Sequence, residues 1–441
     1  MNIPQLIADR TVDAATAIAA LPRRGRVAIG ANAGEPRTLV AALADAAHHF
    51  HGLEVLQVLS FGSERLVAPE AQGHLRVNCL FIGPAMREAV ARGLADYTPV
   101  FLSEIPSLFR NSHRLDATLV QVSLPDAHGW CSMGVTVDVM RTAVDVAPLV
   151  IAEMNPQMPR TYGAAFLHIS KLHRIVHVDH PLPELVPDPP DPIQDRIASF
   201  VAELVDDGCT IQAGIGSIPD AVLRRLHDRR DLGIHSELLS DGMMALIESG
   251  VATGARKDLW PGKAVTSFIL GTHALYRKVD SNPAIEMQPS DITNDPFRIA
   301  RHANFVAINS ALSVDLTGQV NADSIGCRFY SGIGGQVDFL RGAARSPGGR
   351  PILALPATAR VRKRTPDGAE THETVSRIVP MLAPGAGVVT SRGDVHHIVT
   401  EWGRVDLHGL PVRQRARALI SIADPQFRDD LTAQAHHLGF L

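Results

Sequence analysis

Short apolar runs rich in β-branched residues alternate along the chain with longer helical stretches, and this rhythm predicts repeated βαβ units. Arg26–Gly30 (RVAIG) reads as a buried strand; a small-residue loop follows, and Pro36 opens a helix through Thr38–His48. The same order returns far down the chain. Cys209–Ala213 (CTIQA) reads as a strand, Gly214–Ile218 as a loop, and Pro219 opens a helix through Leu226. Proline suits a first helical turn because its missing N–H would find no partner there. The recurrence points to a divergent duplication of one α/β domain. Between the copies, the prolines of Val178–Pro192 (VDHPLPELVPDPPDP) break regular structure and mark a linker. The expected organisation is an N-terminal α/β domain over residues 1–185 and a C-terminal one over 193–441, each an open, mostly parallel sheet.

Composition narrows the class without changing that picture. The chain has 441 residues, 45% apolar and 20% charged, with a formal charge of −4. That length supports two or three domains with full cores. The apolar content excludes a disordered chain, and no run approaches the roughly 20 apolar residues that span a bilayer. The start, MNIPQLIADRTVDAA, lacks a basic region followed by an apolar core and reads as no secretory signal. Near-neutral charge offers no footprint for nucleic acid or an anionic membrane. A cytoplasmic globular protein is expected. Cys79, Cys131, Cys209 and Cys327 show no paired spacing and read as reduced core thiols. The histidine groups His48, His49, His51 and His396, His397 lack metal-site spacing, so no metal is expected.

Two glycine loops carry the first chemical signal. Gly214–Pro219 (GIGSIP) follows a strand and opens a helix, but Pro219 occupies the third glycine slot of a dinucleotide fingerprint. Ser217, with Asp220 three residues on, resembles a capping box. What remains is an anion cradle at a helix N-terminus, with a purely structural turn equally open. The second loop, Ser331–Phe339 (SGIGGQVDF), places Gly332, Gly334 and Gly335 in four positions, removing the Cβ atoms that would block an approaching ligand. Two such loops in one half favour a long ligand lying across both.

Among nucleophiles, no G-x-S-x-G elbow occurs and the P-loop pattern fails at Ala264. Cys131 in HGWCSMG has no cue of activation and reads as a small buried residue. Glu237 differs: it follows the predicted strand Leu232–Ile234 at its carboxyl end, where open α/β sheets place their ligand crevice. It also lies about 20 residues after the Gly214 loop, where a dinucleotide enzyme keeps its ribose-binding acid. Ribose ligand, nucleophilic carboxylate and solvated glutamate all remain open from spacing alone.

Several ordered segments resemble the acetyl-CoA hydrolase/transferase family, in particular its 4-hydroxybutyrate-type CoA-transferases. They are SLPDAHGWCSMGVTVDV (Ser123–Val139), EMNPQMPRTYG (Glu153–Gly163), IQAGIGSIPDAV (Ile211–Val222) and LGIHSELLSDG (Leu232–Gly242). The likeness continues through NPAIEMQPSDITNDPFRIARHANFVAINSALSVDLTGQV (Asn282–Val320), YSGIGGQVDF (Tyr330–Phe339) and VTEWGRVDLHG (Val399–Gly409). Ser236 and Trp402 depart from the usual threonine and tyrosine without removing a needed group. The resemblance implies two similar α/β domains of the CoA-transferase fold, a catalytic glutamate at Glu237, and CoA-binding residues Gly214, Ile215, Gly216, Ser217, Ile218, Asn309 (in an Asn309-Ser310 turn), Gly332, Gly334, Gly335 and Gln336.

It also implies the reaction. CoA would pass from an acyl-CoA, with acetyl-CoA foremost, to a small carboxylate such as 4-hydroxybutyrate or butyrate, by ping-pong chemistry through a glutamyl-CoA thioester. The alternative is an acyl-CoA hydrolase in which water resolves the same intermediate. No cofactor beyond CoA as substrate is implied, and a homodimer or dimer-based assembly is. Rivals of other classes are a dinucleotide-dependent oxidoreductase built on Gly214–Pro219 and an inactive CoA-binding protein. Arg360, Arg362, Lys363 and Arg364 read as a solvated basic loop, with a CoA-phosphate seat as the sharper alternative.

Overall fold

The computed structural model of the chain describes residues 2–186, 189, 191–364 and 370–441. The principal strands of the first half are β1 (Arg26–Ile29), β2 (Leu53–Val58), β3 (Leu75–Phe81), β4 (Asp96–Tyr97), β5 (Ala117–Val122), β6 (Leu149–Met154) and β7 (Arg174–His177). They form one sheet in the order β7-β6-β5-β1-β2-β3-β4 with every pair parallel. Every residue of β5 is buried, as expected of a parallel strand covered on both faces. In the second half, β8 (Thr210–Ala213), β9 (Gly233–Ile234), β10 (Phe305–Ser310), β11 (Arg350–Ala354), β12 (His397–Thr400) and β13 (Gly403–Asp406) form a sheet in the order β9-β8-β10-β11-β12-β13. It is parallel except for the terminal β12–β13 hairpin.

The echo seen in the sequence is a topological one. β1 lies between β2 and β5, and β8 lies between β9 and β10. In each sheet, then, the strand after the repeated unit goes to one side and a later strand to the other. That reversal opens a crevice at the carboxyl ends of the strands. α1 (Arg37–Asp45) follows β1 with Pro36 at its N-cap, and ends three residues before the expected His48. α2 (Pro192–Ala202) begins at the last residue of the proline-rich segment, capped by Asp191 and Gln194 in a capping box. The described residues of Val178–Asp191 carry no helix or strand; Pro187, Asp188 and Pro190 of that segment lie outside the described residues.

After β8, α3 (Ser217–Arg224) departs from expectation at both ends. Gly216 is the N-cap, at φ 129° and ψ 172°, and no side chain caps the helix. Ser217 is the first helical residue, because the backbone turn is made by a conformation that a residue with a Cβ rarely adopts. Pro219 still lies in the first turn, and the helix stops two residues before Leu226. The second glycine loop feeds directly into α4 (Gln336–Arg345), with Gly335 as its N-cap.

The halves are not separate bodies. A continuous buried cluster holds Ala28 and Val122 of the first sheet together with Ile211, Val306 and Val399 of the second. Tyr162–Gly163 pairs with Glu286–Met287 across the halves. Cys79, Cys131 and Cys209 are core thiols as expected, but Cys327 is exposed, because it sits at the tip of the short hairpin joining Ser324–Ile325 to Arg328–Phe329. The basic residues expected in a loop instead belong to a strand, Thr358–Arg364, paired antiparallel with Glu370–Ser376. Arg360 and Arg362 are exposed, and Arg362 pairs with Glu370. No helix among the described residues is long and apolar enough to cross a membrane.

Candidate active site

Glu237 lies where three elements converge. His235 N–H donates to Ile211 O of β8, at 3.1 Å, and Ser236 N–H donates to Val265 O, at 3.0 Å. The Glu237 carbonyl accepts from Ser267 N, Phe268 N, Thr266 Oγ1 and Ser267 Oγ, at 2.9–3.0 Å. Four donors on one carbonyl leave this backbone little freedom, so the carboxyl is delivered from a fixed base. Asn294 Nδ2 donates to Glu237 Oε2 at 2.8 Å. Asn294 is itself buried at the end of the short helix Ser290–Thr293, which leans on the first half through Ser290 Oγ donating to Leu102 O.

The electrostatics suit a reactive carboxylate. Burial pushes the Glu237 carboxyl up to about 7; the Asn294 bond opposes that rise, and the nearby Asp338 and Asp138 add to it. Burial also raises Asp338 to about 7 and Asp138 to about 6. Asp338 accepts from Ser103 N and Ser103 Oγ at 3.1 and 2.9 Å, and Asp138 Oδ1 accepts from Met140 N at 3.0 Å. These two acids are engaged by the first half of the chain. A desolvated anion lacks the hydration that makes an ordinary carboxylate inert.

Two cavities meet at Glu237. The larger, about 220 Å³, lies among Gly214, Ile215, Asn309 and Ser310 on one side and Ser331–Gln336 on the other. The smaller, about 40 Å³, opens toward the first half between Val58, Leu59, Phe81, Leu102 and Phe268. Glu237, Phe81, Ile215 and Gly334 line both. The second glycine loop crosses to the first half, with Leu102 N donating to Gly334 O at 3.1 Å and Ile82 N donating to Ser331 O at 3.2 Å. A Cβ at Gly335 would overlap Glu237 Oε2 and Asn294 Nδ2, so any other residue there would force these two side-chain ends to move.

Of the expected binding residues, Gly214, Ile215, Asn309, Gly332, Gly334, Gly335 and Gln336 line the larger cavity around Glu237. Gly216, Ser217 and Ile218 are set back from it in the cap and first turn of α3. Gly214 N–H is committed to Ile308 O at 3.0 Å, so this glycine provides close approach and no free donor. Asn309 and Ser310 form the carboxyl end of β10, correcting the expected turn. Asn309 exchanges hydrogen bonds with Gln212 at 3.0 and 3.3 Å, which aims both carboxamides at the cavity wall. Gln212, Phe81, Asn294, Asp138 and Asp338 are site residues that sequence reasoning did not single out. Cys131 is fully buried and its thiol is pushed up to about 12, which removes it as a nucleophile. Among the described residues, no group of three His, Cys, Asp or Glu side chains is arranged to hold a metal ion.

Residues 9–187 match the N-terminal domain of the acetyl-CoA hydrolase/transferase family, and residues 271–435 match its C-terminal domain. Glu237 and the Gly214 loop fall between those two segments, in a stretch that full-length relatives span. The 4-hydroxybutyrate coenzyme A transferase of Clostridium kluyveri is 44% identical over 432 residues, 98% of each chain. The succinyl-CoA:acetate/propanoyl-CoA:succinate CoA transferase of Fasciola hepatica is 46% identical over 370 residues, 83% of this chain and 75% of its own. Among solved structures, RipA from Yersinia pestis superposes over 100% of both chains with a TM-score of 0.92 at 34% identity. A 4-hydroxybutyrate CoA-transferase from Porphyromonas gingivalis gives a TM-score of 0.82 at 38% identity, over 99% of both chains.

Proposed function

The chain belongs to the acetyl-CoA hydrolase/transferase family, and from that premise we propose that it is a CoA-transferase whose nucleophile is Glu237. The supporting observation is a single one: a desolvated carboxylate stands at the meeting point of a glycine-lined cavity and an apolar one. The donor is an acyl-CoA, with acetyl-CoA the first to test, and the acceptor a small carboxylate.

Glu237 attacks the thioester carbonyl, the C–S bond breaks, and a mixed glutamyl–acyl anhydride forms with CoA thiolate. The thiolate then attacks the glutamyl carbonyl carbon, expelling the first carboxylate and leaving a glutamyl-CoA thioester. An incoming carboxylate runs the two steps in reverse and leaves as the new acyl-CoA. Each tetrahedral intermediate carries an oxyanion. The first turn of α4, which opens directly after Gly335, has N–H groups without helical partners to meet it. The glycine loops let the narrow pantetheine arm approach Glu237, and contacts to the rest of CoA contribute binding energy at the reacting carbon. A homodimer in the cytoplasm, with no cofactor beyond CoA itself, completes the proposal.

Incubation with acetyl-CoA followed by intact-protein mass spectrometry tests it. A CoA adduct on Glu237, released by hydroxylamine, is the expected result; an adduct on Cys131, or none, contradicts it. Thioester loss should also depend on added carboxylate. Undiminished loss without an acceptor would identify a hydrolase.

A pH profile gives an independent check. Attack needs the ionised carboxylate, so the transfer rate should climb as pH rises through about 7 and level off above it. In Asn294→Ala the bond that holds the carboxyl down is gone, so the rising limb should move to higher pH. A one-unit rise would cut the ionised fraction at pH 7 from about a half to about a tenth, so the rate there should fall by about fivefold.

A further inference from the structure

Behind the nucleophile stands a buried side chain that the reaction steps do not use. His235 lies two residues before Glu237, is 0% exposed, and lines neither of the two cavities. Both residues reach the same short stretch of chain. His235 Nε2–H donates to Thr293 O at 2.8 Å, and Asn294 Nδ2 donates to Glu237 Oε2 at 2.8 Å. Two adjacent ties therefore join the segment that carries the nucleophile to Thr293-Asn294.

The state of the ring follows from its partner. A carbonyl oxygen only accepts, so Nε2 carries the proton, and Nδ1 is buried without a hydrogen-bond partner. Burial above all, with His302 and Lys257 adding to it, holds the imidazole well below its ordinary value, so the ring stays neutral at neutral pH. The rings of His302, Trp260, Phe305 and Phe339 surround it at centroid distances of 5.0–6.5 Å, and close packing on these sides fixes its orientation. Asn294 depends on such support. Its Oδ1 is buried without a hydrogen-bond partner, so no second bond on that oxygen fixes the amide that holds Glu237. The aim of the carboxamide rests on its backbone, where Asn294 N–H donates to Ser290 O at 2.9 Å and the preceding carbonyl is held by His235. The helix that Asn294 ends, Ser290–Thr293, is a single turn and too short to hold its own end without tertiary ties.

Resting on the reading of Glu237 as the nucleophile, we propose that His235 is a positioning residue of this site: its Nε2–H fixes Thr293-Asn294, and through Asn294 the carboxylate of Glu237, without touching the substrate. The arrangement turns a residue beside the nucleophile in sequence into the anchor of a segment 57 residues beyond it.

The rate of CoA-adduct formation on Glu237 at saturating acetyl-CoA, followed on the full-length protein by rapid quenching and mass spectrometry, reads the effect. In His235→Leu the tie to Thr293 is gone. The rate at pH 7 should fall by about fivefold, the loss expected of Asn294→Ala, while the half-saturating acetyl-CoA concentration stays within about twofold. The rising limb of the pH profile should move to higher pH, since Asp338 and Asp138 facing Glu237, and Lys257, His302 and Arg298 around His235, are unchanged. His235→Gln, whose Nε2 can donate to the same carbonyl, should bring the rate back to within about twofold of wild type. In an Asn294→Ala background, His235→Leu should slow the rate no further, whereas a merely structural role gives losses that add. A His235→Leu rate within about twofold of wild type, equal losses with and without Asn294, or His235→Gln as slow as His235→Leu would overturn the assignment. If His235→Leu does not fold, His235→Asn, one bond too short for Thr293 O, takes its place. Failure of His235→Gln to fold would make the ring a fixture of the fold and overturn the assignment as well. The two readings fail differently. Wild-type protein that forms no adduct sinks the Glu237 chemistry, whereas a normal adduct in wild type and in His235→Leu sinks the positioning role alone.

Discussion

Glu237→Ala should lower the transfer rate by about 10⁴-fold or more, equivalent to about 5.5 kcal/mol of transition-state stabilisation. The expectation rests on what else the site offers. Asp338 has both carboxylate oxygens on Ser103, and Asp138 is tied to the backbone at Met140. Burial holds the Cys131 thiol at about 12. None of these can replace a carboxylate aimed between the two cavities. Folding should respond in the opposite sense. Burial raises the Glu237 carboxyl to about 7, so at pH 8 the folded chain carries a desolvated anion that the unfolded chain would hydrate. Alanine removes that cost, and the melting temperature should stay level or rise while activity collapses. The pair of measurements separates a nucleophile from a residue that merely holds the fold. Activity within a hundredfold of wild type would contradict the assignment.

The parts of this site that were legible in the sequence share one property: they are local. A strand, a glycine turn and a helix contiguous in the chain announce themselves by pattern, and so β1 and β8 were found with their loops. Glu237 draws notice because it directly follows a predicted strand, but spacing leaves its role open among three, and only the family resemblance makes it the nucleophile. The partner that holds it carries no such signal. Asn294 comes from a segment 57 residues on, at the end of a four-residue helix, and nothing in TNDPF distinguishes a carboxamide bonded to glutamate from one facing solvent. Phe81 and Leu102 enter from the other half of the chain, and their role exists only because the Ser331–Gly335 loop hydrogen-bonds across to it.

Local chemistry also misled where backbone geometry overrode it. Ser217 and Asp220 have the spacing of a capping box, yet Gly216 takes the cap by entering a conformation open chiefly to glycine. Asn309-Ser310, small and polar, suggests a turn, but pairing with Leu353 and Ala354 carries both residues to the end of β10. In each instance a neighbouring strand or glycine decided the backbone before the side chain could. The Arg360–Arg364 run shows the same limit. Four basic residues around Val361 read as a loop, while the pairing that makes them a strand comes from Glu370–Thr374.

Gly335→Ala is the smallest change with a large expected effect, because it adds one carbon in the most crowded part of the site. At φ −94° and ψ 0°, Gly335 occupies backbone that alanine also adopts, so the substitution is not strained in itself. Its Cβ, however, would overlap Glu237 Oε2 and Asn294 Nδ2. The two side chains must part, which breaks the 2.8 Å bond between them and turns the carboxylate away from the thioester. Misplacement of a nucleophile by about 1 Å costs on the order of 10²-fold, so at least that loss in kcat is expected. Gly334 provides the contrast. Its φ of 59° penalises alanine through the backbone, and the new Cβ would stand 3.1 Å from the Phe81 ring. Gly334→Ala should therefore lower the melting temperature along with the rate, whereas Gly335→Ala should leave the melting temperature near wild type. If Gly335→Ala instead unfolds the protein or retains full activity, the close packing of loop, carboxylate and Asn294 is not what positions the nucleophile.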